Sequence, residues 1–362
     1  MAVPRAPSRP STAPARASLT STSRHDHATL PSLAFDARFS RRTALASVAA
    51  VGLGLPLTTT SVTARGASPL REASAQMNVA PHALASPPDL VPFLAPSLAG
   101  EGVWRPAGRR VQGRSAVFTT RIRPLDTPTV LAGVAWMDTS LLRARLYSGS
   151  LSPGGLFWKY TAPITPSAAR TLVAAFNGGF LLKDSHGGYL SEGHLVAPLE
   201  VGAASLVIYR DGSATVGQWG RDVTMTPTVV AVRQNRTLLV DHGAAVAGLA
   251  RYDVTAWGFS LNNIVDTPRS GLGITASGAL VYVEGPMNIV DLSRILVRAG
   301  VVRAMVLDMN PLWPIFATYT PATPGGLAAP GNGRVLTSSM IQTPARFFQP
   351  AYARDFITMS AR

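Results

Sequence analysis

From residue 101 onward the chain is a succession of short apolar runs separated by glycine, proline and asparagine or aspartate. Residues 116–122 and 130–136 read as strands and residues 141–147 continue with alternating side chains, which together predict a meander. Residues 172–176 form a five-residue apolar run bounded by Pro166 and by Gly178-Gly179, which predicts a buried strand delivering Asn177 to its end. Residues 204–209 and 214–216 flank an Arg210-Asp211-Gly212-Ser213 turn, and residues 229–233 and 237–240 flank Gln234-Asn235-Arg236. Each pair predicts a hairpin. Trp257-Gly258-Phe259 adds a short strand, followed by strands over 267–275 and 279–283, the second ending at Glu284. Another is expected before Leu307-Asp308, and a last aromatic strand over 347–357.

Helical spacing is confined to two places. Thr165-Pro166 is an N-cap and N1 pair for one turn. Ile289, Leu292, Ile295, Leu296 and Ala299 recur with a helical period, closed by Gly300 as the C-terminal stop. One good helix among many strands argues against a doubly wound parallel sheet, and the absence of an internal repeat argues against a propeller. The expected fold class is α+β: a single domain over 101–362 with a mixed, mostly antiparallel β-sheet and few helices.

The first hundred residues differ. Residues 1–38 are rich in Ala, Pro, Ser, Thr and Arg without an apolar period, a composition that predicts disorder. Ser40-Arg41-Arg42-Thr43-Ala44-Leu45 then precedes an uncharged run to Leu57, an order that resembles a twin-arginine export signal. Cleavage sites of small-x-small form follow at Ala64 and Ala75. Residues 1–64 are therefore expected to be a disordered n-region and signal, residues 65–100 a Pro/Ala-rich linker, and the protein to be exported to the cell envelope or beyond it. No stable membrane span is expected after cleavage, because the apolar run is short and glycine-rich.

Charge adds one feature. The net charge is +14, of which residues 1–64 carry +5 and the remainder +9, so the folded part favours anionic polymers. Lysine occurs only at Lys159 and Lys183, so arginine abundance reflects composition and does not by itself indicate nucleic acid. Six arginines between Trp104 and Arg123 fit either a solvated edge hairpin or a patch for glycan phosphate. No nucleic-acid module is recognisable, and no nucleic-acid partner is expected. Cysteine is absent, which excludes disulfides, thiol nucleophiles and thiolate metal sites. Neither a metal nor another cofactor is expected.

Candidate chemistry gathers at strand tips. Gly178 and Gly179 allow close backbone approach, with N–H groups able to face an anion or simply to end a strand. The glycine-bearing loop after Phe180 carries His186, and Glu192 follows; both suit proton transfer or substrate hydroxyl binding, or are a surface histidine and a turn glutamate. Pro268 fixes the entry of a strand from which Arg269 projects, a guanidinium suited to phosphate. Gly271 and Gly273 leave one face of that strand bare, for packing or for a ligand. Asp308 and Asn310 place a carboxylate and an amide at a buried tip, where the carboxylate needs a partner and Arg269 is a candidate.

Taken in order, Asn177-Gly178-Gly179-Phe180, Arg269-Ser270-x-x-Gly273 and Leu307-Asp308 resemble the motifs of the phosphodiester glycosidase domain family over about residues 116–357. Ser270 stands where the family has threonine, and Met309-Asn310-Pro311 replaces its glycine-rich turn after the aspartate. The resemblance implies hydrolysis of a sugar joined to a phosphodiester. In that chemistry Asp308 offsets charge on the sugar or activates water, with Glu192 or Glu284 as the second carboxylate. Arg269, Ser270, His186, Asn310 and the Asn177–Gly179 turn would bind the substrate. A glycan-binding protein of the same fold without turnover is the alternative.

Overall fold

The apolar runs become eighteen strands in a computed structural model that describes residues 83–155, 157–250, 253–258 and 264–362. The expected disordered and signal segment (1–64) and the linker as far as residue 82 lie outside the described residues, as does Phe259. In chain order the strands begin with β1 (Arg105–Val111), β2 (Arg114–Ile122), β3 (Ala132–Met137) and β4 (Leu142–Tyr147). After helix α1 (Pro166–Ala169) and β5 (Leu172–Asn177) come helix α2 (Leu182–Ser185), β6 (Tyr189–Ser191) and β7 (His194–Ala197). Next are β8 (Ala204–Tyr209), β9 (Ala214–Gln218), β10 (Val229–Gln234), β11 (Leu238–Asp241), β12 (Ala244–Ala245) and helix α3 (Val254–Trp257). Then follow β13 (Thr267–Thr275), β14 (Leu280–Met287), helix α4 (Ile289–Arg298), β15 (Val301–Val306), β16 (Phe316–Tyr319), β17 (Gly333–Val335) and β18 (Phe356–Ala361).

These strands form three antiparallel sheets. The largest runs β1-β2-β3-β14-β13-β15-β11-β12; the others run β7-β6-β10-β8-β9 and β17-β16-β5-β18-β4. Side chains of all three meet in one core that includes Met137, Leu146, Phe176, Leu206, Tyr282, Met305 and Ile357. Strand alternation sends the other face of the large sheet outward, where α4 covers it with Ile289, Leu292, Ile295 and Leu296. Asn288 caps that helix by accepting from Asp291 N, and Gly300 takes φ +77° just past its end, where the sequence predicts a stop. The glycines of β13 serve this packing. A Cβ at Gly273 would lie 2.3 Å from Val301 Cγ1, and one at Gly271 would lie 3.2 Å from Leu292 Cδ2.

The mostly antiparallel fold with few helices is as expected, but several connections differ. The meander breaks after β3, because the buried Asp138 accepts hydrogen bonds from Ser140 N and from Leu84 N. The chain turns there, and β4 pairs with β18 in another sheet. The expected hairpin of 229–233 with 237–240 does not form: β10 pairs with β6 and β8, whereas β11 pairs with β15 and β12. The reason is that Gln234 and Asn235 are buried and bond to neighbouring segments instead of closing a turn. Trp257 ends the one-turn helix α3 rather than lying in a strand. The stretch 347–357 is a 3-10 turn, Pro344–Phe348, followed by the start of β18.

Residues 83–100, within the stretch read as linker, join this body: Leu90 is buried, and its N–H donates to Gly102 O at 2.9 Å. Of the six arginines before residue 124, two are internal ties. Arg123 bonds the buried Glu101 carboxylate at 2.9 Å. Arg109, 8% exposed, donates to the carbonyls of Ala169, Arg170, Pro324 and Gly326. No helix among the described residues is long and apolar enough to cross a membrane.

Candidate functional site

The ends of β5, β10 and β15 and the starts of β13 and β18 converge, and buried polar side chains stitch them together. Asn177 is 2% exposed and uses its whole amide. Its Nδ2 donates to Ser270 Oγ at 2.9 Å and to Gly178 O at 2.8 Å, while its Oδ1 accepts from Tyr282 Oη at 2.6 Å and Ile315 N at 3.1 Å. Ser270 in turn is paired with Asp308: Asp308 N lies 3.2 Å from Ser270 Oγ, and Ser270 N donates to Asp308 O at 2.7 Å. Of the expected amide, guanidinium and carboxylate, the fold links Asn177 and Asp308 through the Ser270 hydroxyl, while the Arg269 side chain bonds elsewhere.

Asp308 is 2% exposed. Its Oδ1 accepts from Met309 N and Asn310 N, and its Oδ2 is bound by Arg354. Burial pushes its pKa up to about 6, against the opposing pull of Arg354 and the two backbone N–H groups. Arg269 is not the counterion. It lies on the face of β13 opposite Ser270, where Nε donates to Met287 O at 2.8 Å and Nη2 to Val265 O at 3.0 Å. Burial lowers the pKa of this guanidinium to about 10, with Asp266 opposing the shift. The expected Arg269–Asp308 pair is replaced by Arg354–Asp308 because adjacent residues of a strand point to opposite faces.

Arg354 is 5% exposed, also donates to Gly179 O at 2.8 Å, and stands 4.8 Å from the Trp313 ring. Its Nε is buried without a hydrogen-bond partner. Arg346, 5.2 Å from the same ring, has a buried unpartnered Nε as well, and so does the Tyr352 hydroxyl beside it. Arg346 is near enough to oppose the burial that raises the Tyr352 phenol to about 12, without a hydrogen bond of normal geometry.

Glu284 lies on β14, on the same face as Tyr282 and fully buried. Burial raises its pKa to about 8, so it is protonated at neutral pH. The Tyr282 hydroxyl has one proton for two acceptors, Asn177 Oδ1 at 2.6 Å and Glu284 Oε2 at 3.0 Å. A protonated Glu284 resolves the conflict by donating to the phenol oxygen. Hydrogen bonds therefore run from the neutral Glu284 carboxyl through Tyr282, Asn177 and Ser270 to the backbone of Asp308, whose carboxylate is held separately by Arg354 and by the Met309 and Asn310 N–H groups.

The other expected site residues fall elsewhere or play other parts. Glu192 sits at φ +52° in the β6–β7 turn and accepts from Lys159 N and Tyr160 N; it faces a cavity of about 440 Å³ with Arg145 and Tyr147. His186 is exposed at the end of α2, and among the described residues no hydrogen bond joins it to Asp308. Asn310 closes the tip through its N–H to Asp308 and its Oδ1 to Leu312 N. The Gly178 N–H is not free for an anion, since it donates to Asp355 O at 2.9 Å. A Cβ at Gly178 would lie 2.0 Å from Asp355 Oδ2, and one at Gly179 would lie 3.1 Å from the Arg233 guanidinium, so the glycine pair is there to admit a buried ion pair. That pair, Arg233 Nε to Asp355 Oδ2 at 2.8 Å, is sealed from solvent. Asn235 completes the stitching with Nδ2 to the Val306 and Leu307 carbonyls and Oδ1 to Phe180 N.

Sequence reasoning missed Arg233, Asn235, Tyr282, Arg354 and Asp355. One signal was available: Arg354-Asp355 directly abuts the apolar run that begins at Phe356, where a charged pair enters a buried strand. Among the described residues no three His, Asp or Glu side chains are grouped to hold a metal ion.

Comparison with known proteins bears on this junction. Residues 170–308 match the phosphodiester glycosidase family. The matched span holds Asn177, Arg269, Ser270, Glu284 and Asp308, while Arg354 and Asp355 lie beyond it. Among solved structures, the chain is similar to the zebrafish N-acetylglucosamine-1-phosphodiester alpha-N-acetylglucosaminidase catalytic domain auto-inhibited by its pro-peptide. The identity is 17%, with 72% of this chain and 88% of that one covered and a TM-score of 0.42. A hypothetical protein from Synechocystis is similar at 12% identity, with 71% and 64% of the two chains covered and a TM-score of 0.36. No curated protein matches.

Proposed function

We propose that this chain is an exported hydrolase that cleaves the glycosidic bond of a sugar joined to a phosphodiester in cell-envelope or extracellular glycans. The phosphodiester glycosidase match supports the reaction class. The observation that carries the reading is the Asp308–Arg354 pair, a carboxylate held against a guanidinium whose buried Nε still lacks an acceptor. A phosphate ester leaves readily, so the reaction needs little general-acid help and much charge stabilisation. Arg354, which shares the Trp313 ring with Arg346, suits the negative charge that grows on the departing phosphate. Asp308, ionised above about pH 6, suits the positive charge on the sugar ring or the activation of water. Glu284 stays protonated and acts as a positioning residue through Tyr282 and Asn177.

Export is supported by the Ser40-Arg41-Arg42-x-x-Leu45 sequence and the apolar run after it. Fusion of residues 1–80 to a reporter tests it: export abolished by Arg41→Lys with Arg42→Lys is the expected result.

The test of the activity is release of reducing sugar from a sugar phosphodiester by the wild type and by Asp308→Asn, with release expected only from the wild type. A second reading, glycan binding without turnover, is favoured by the 2% exposure of Asp308 and by Met309-Asn310-Pro311 at its tip. Wild-type binding without release would establish it.

A further inference from the structure

A second recess, separate from the Asp308 junction, lies between the β1–β2 hairpin and the β16–β17 edge. It encloses about 1000 Å³, at the top of the range for a small-molecule pocket, and is lined by Arg105, Arg110, Arg121 and Arg334 with Thr119 and Thr318. All four arginines are exposed, and none pairs with a carboxylate among the described residues. The one acidic side chain in the lining, Glu101, is already neutralised by Arg123. Guanidinium groups without a carboxylate partner along one concave wall concentrate positive potential there, which attracts an anionic chain.

We propose that this groove docks an anionic envelope polymer whose hydroxylated units, sugar or glycerol, are joined by phosphodiesters. Arginine suits phosphate through its forked donors, and the threonine hydroxyls suit sugar hydroxyls. A nucleic acid is disfavoured because stacking needs exposed rings, and the one aromatic side chain in the lining, Phe316, is fully buried. The groove stands whether or not the junction is hydrolytic.

The test uses the full chain with three probes: poly(glycerol phosphate), neutral dextran and a single-stranded DNA oligonucleotide of matched charge. The variants are Arg121→Glu with Arg334→Glu, the milder Arg121→Ala with Arg334→Ala, and a control reversal, Arg143→Glu with Arg210→Glu, elsewhere on the surface. At about 0.1 M salt the groove reversal is expected to weaken poly(glycerol phosphate) binding about tenfold or more, and the alanine pair about threefold, while the control reversal changes it less than twofold. Dextran is expected not to bind. Equal loss in the control pair, equal binding of dextran, or tighter binding of the DNA overturns the proposal. A thermal melt checks folding, and if the glutamate pair unfolds, the alanine pair decides. Sugar release from a monomeric sugar phosphodiester is measured in parallel and is expected to be unchanged by the groove variants. Its absence in the wild type counts against the hydrolase reading and leaves the groove result intact.

Discussion

Tyr282 donates its phenolic proton to the Asn177 amide oxygen across 2.6 Å, tying an interior strand of the eight-stranded sheet to the central strand of a five-stranded one. Removing either partner has unequal effects. Asn177→Ala leaves Ile315 N, the Tyr282 hydroxyl and Ser270 Oγ to find new partners, and each buried group left unsatisfied costs about 1–3 kcal/mol. Tyr282→Phe deletes two hydrogen bonds, leaving Asn177 Oδ1 still bonded to Ile315 N but the buried Glu284 carboxyl without the phenol, so one buried group instead of three goes unsatisfied, at about 1–3 kcal/mol. Urea unfolding should rank Asn177→Ala well below Tyr282→Phe; a reversed order would show that the amide is not the hub.

The buried Glu284 carboxyl makes stability depend on pH in a defined direction. Its pKa rises from 4.5 in the unfolded chain to about 8 in the fold, so between those values the folded state keeps a proton that the unfolded state has released. Stability therefore falls as pH rises through this window, by at most about 1.4 kcal/mol per pH unit, and levels off above it. Glu284→Gln keeps the hydrogen-bonding shape without the titration. The gap between variant and wild type should widen in favour of the variant from pH 5 to pH 8, and a constant gap in denaturant titrations would refute the assignment.

Arg354→Ala leaves the Asp308 carboxylate buried without its counterion, a change that typically costs about 3–5 kcal/mol. Combining it with Asp308→Asn removes the stranded charge and should restore part of that loss. If the proposed hydrolysis is present, its acid limb near pH 6 should move to higher pH in Arg354→Ala and much less in Arg354→Lys.

Gly178→Ala sets a methyl group 2.0 Å from Asp355 Oδ2 and pushes on the sealed Arg233–Asp355 pair. Overpacking of this kind costs about 1–3 kcal/mol. Gly331→Ala, with nothing within 4 Å, is the matched control and should be near neutral in the same melting experiment.

What the sequence made legible follows from the range of each interaction. Helix α4 was legible to within a residue at each end because its period and its Gly300 stop are local. The strand tips at Asn177 and Asp308 were legible because a polar residue at the end of an apolar run has few places to go. Their partners were not. Arg354 reaches Asp308 across 46 residues and Arg233 reaches Asp355 across 122, so neither pairing leaves a local mark, and Arg269 was the nearer but wrong candidate. Sheet membership failed for the same reason: β10 and β11 are adjacent in sequence, yet buried Gln234 and Asn235 send them into different sheets.

Arg109 looks like surface charge in the sequence, yet it gathers carbonyls from α1 and from the Pro/Gly segment 320–333 against the β1–β2 hairpin. That segment adjoins Arg334 on the rim of the basic groove, so the rim is clamped before any polymer arrives. Association with the polymer would then forfeit little chain freedom, and its calorimetric signature should carry a small ordering entropy.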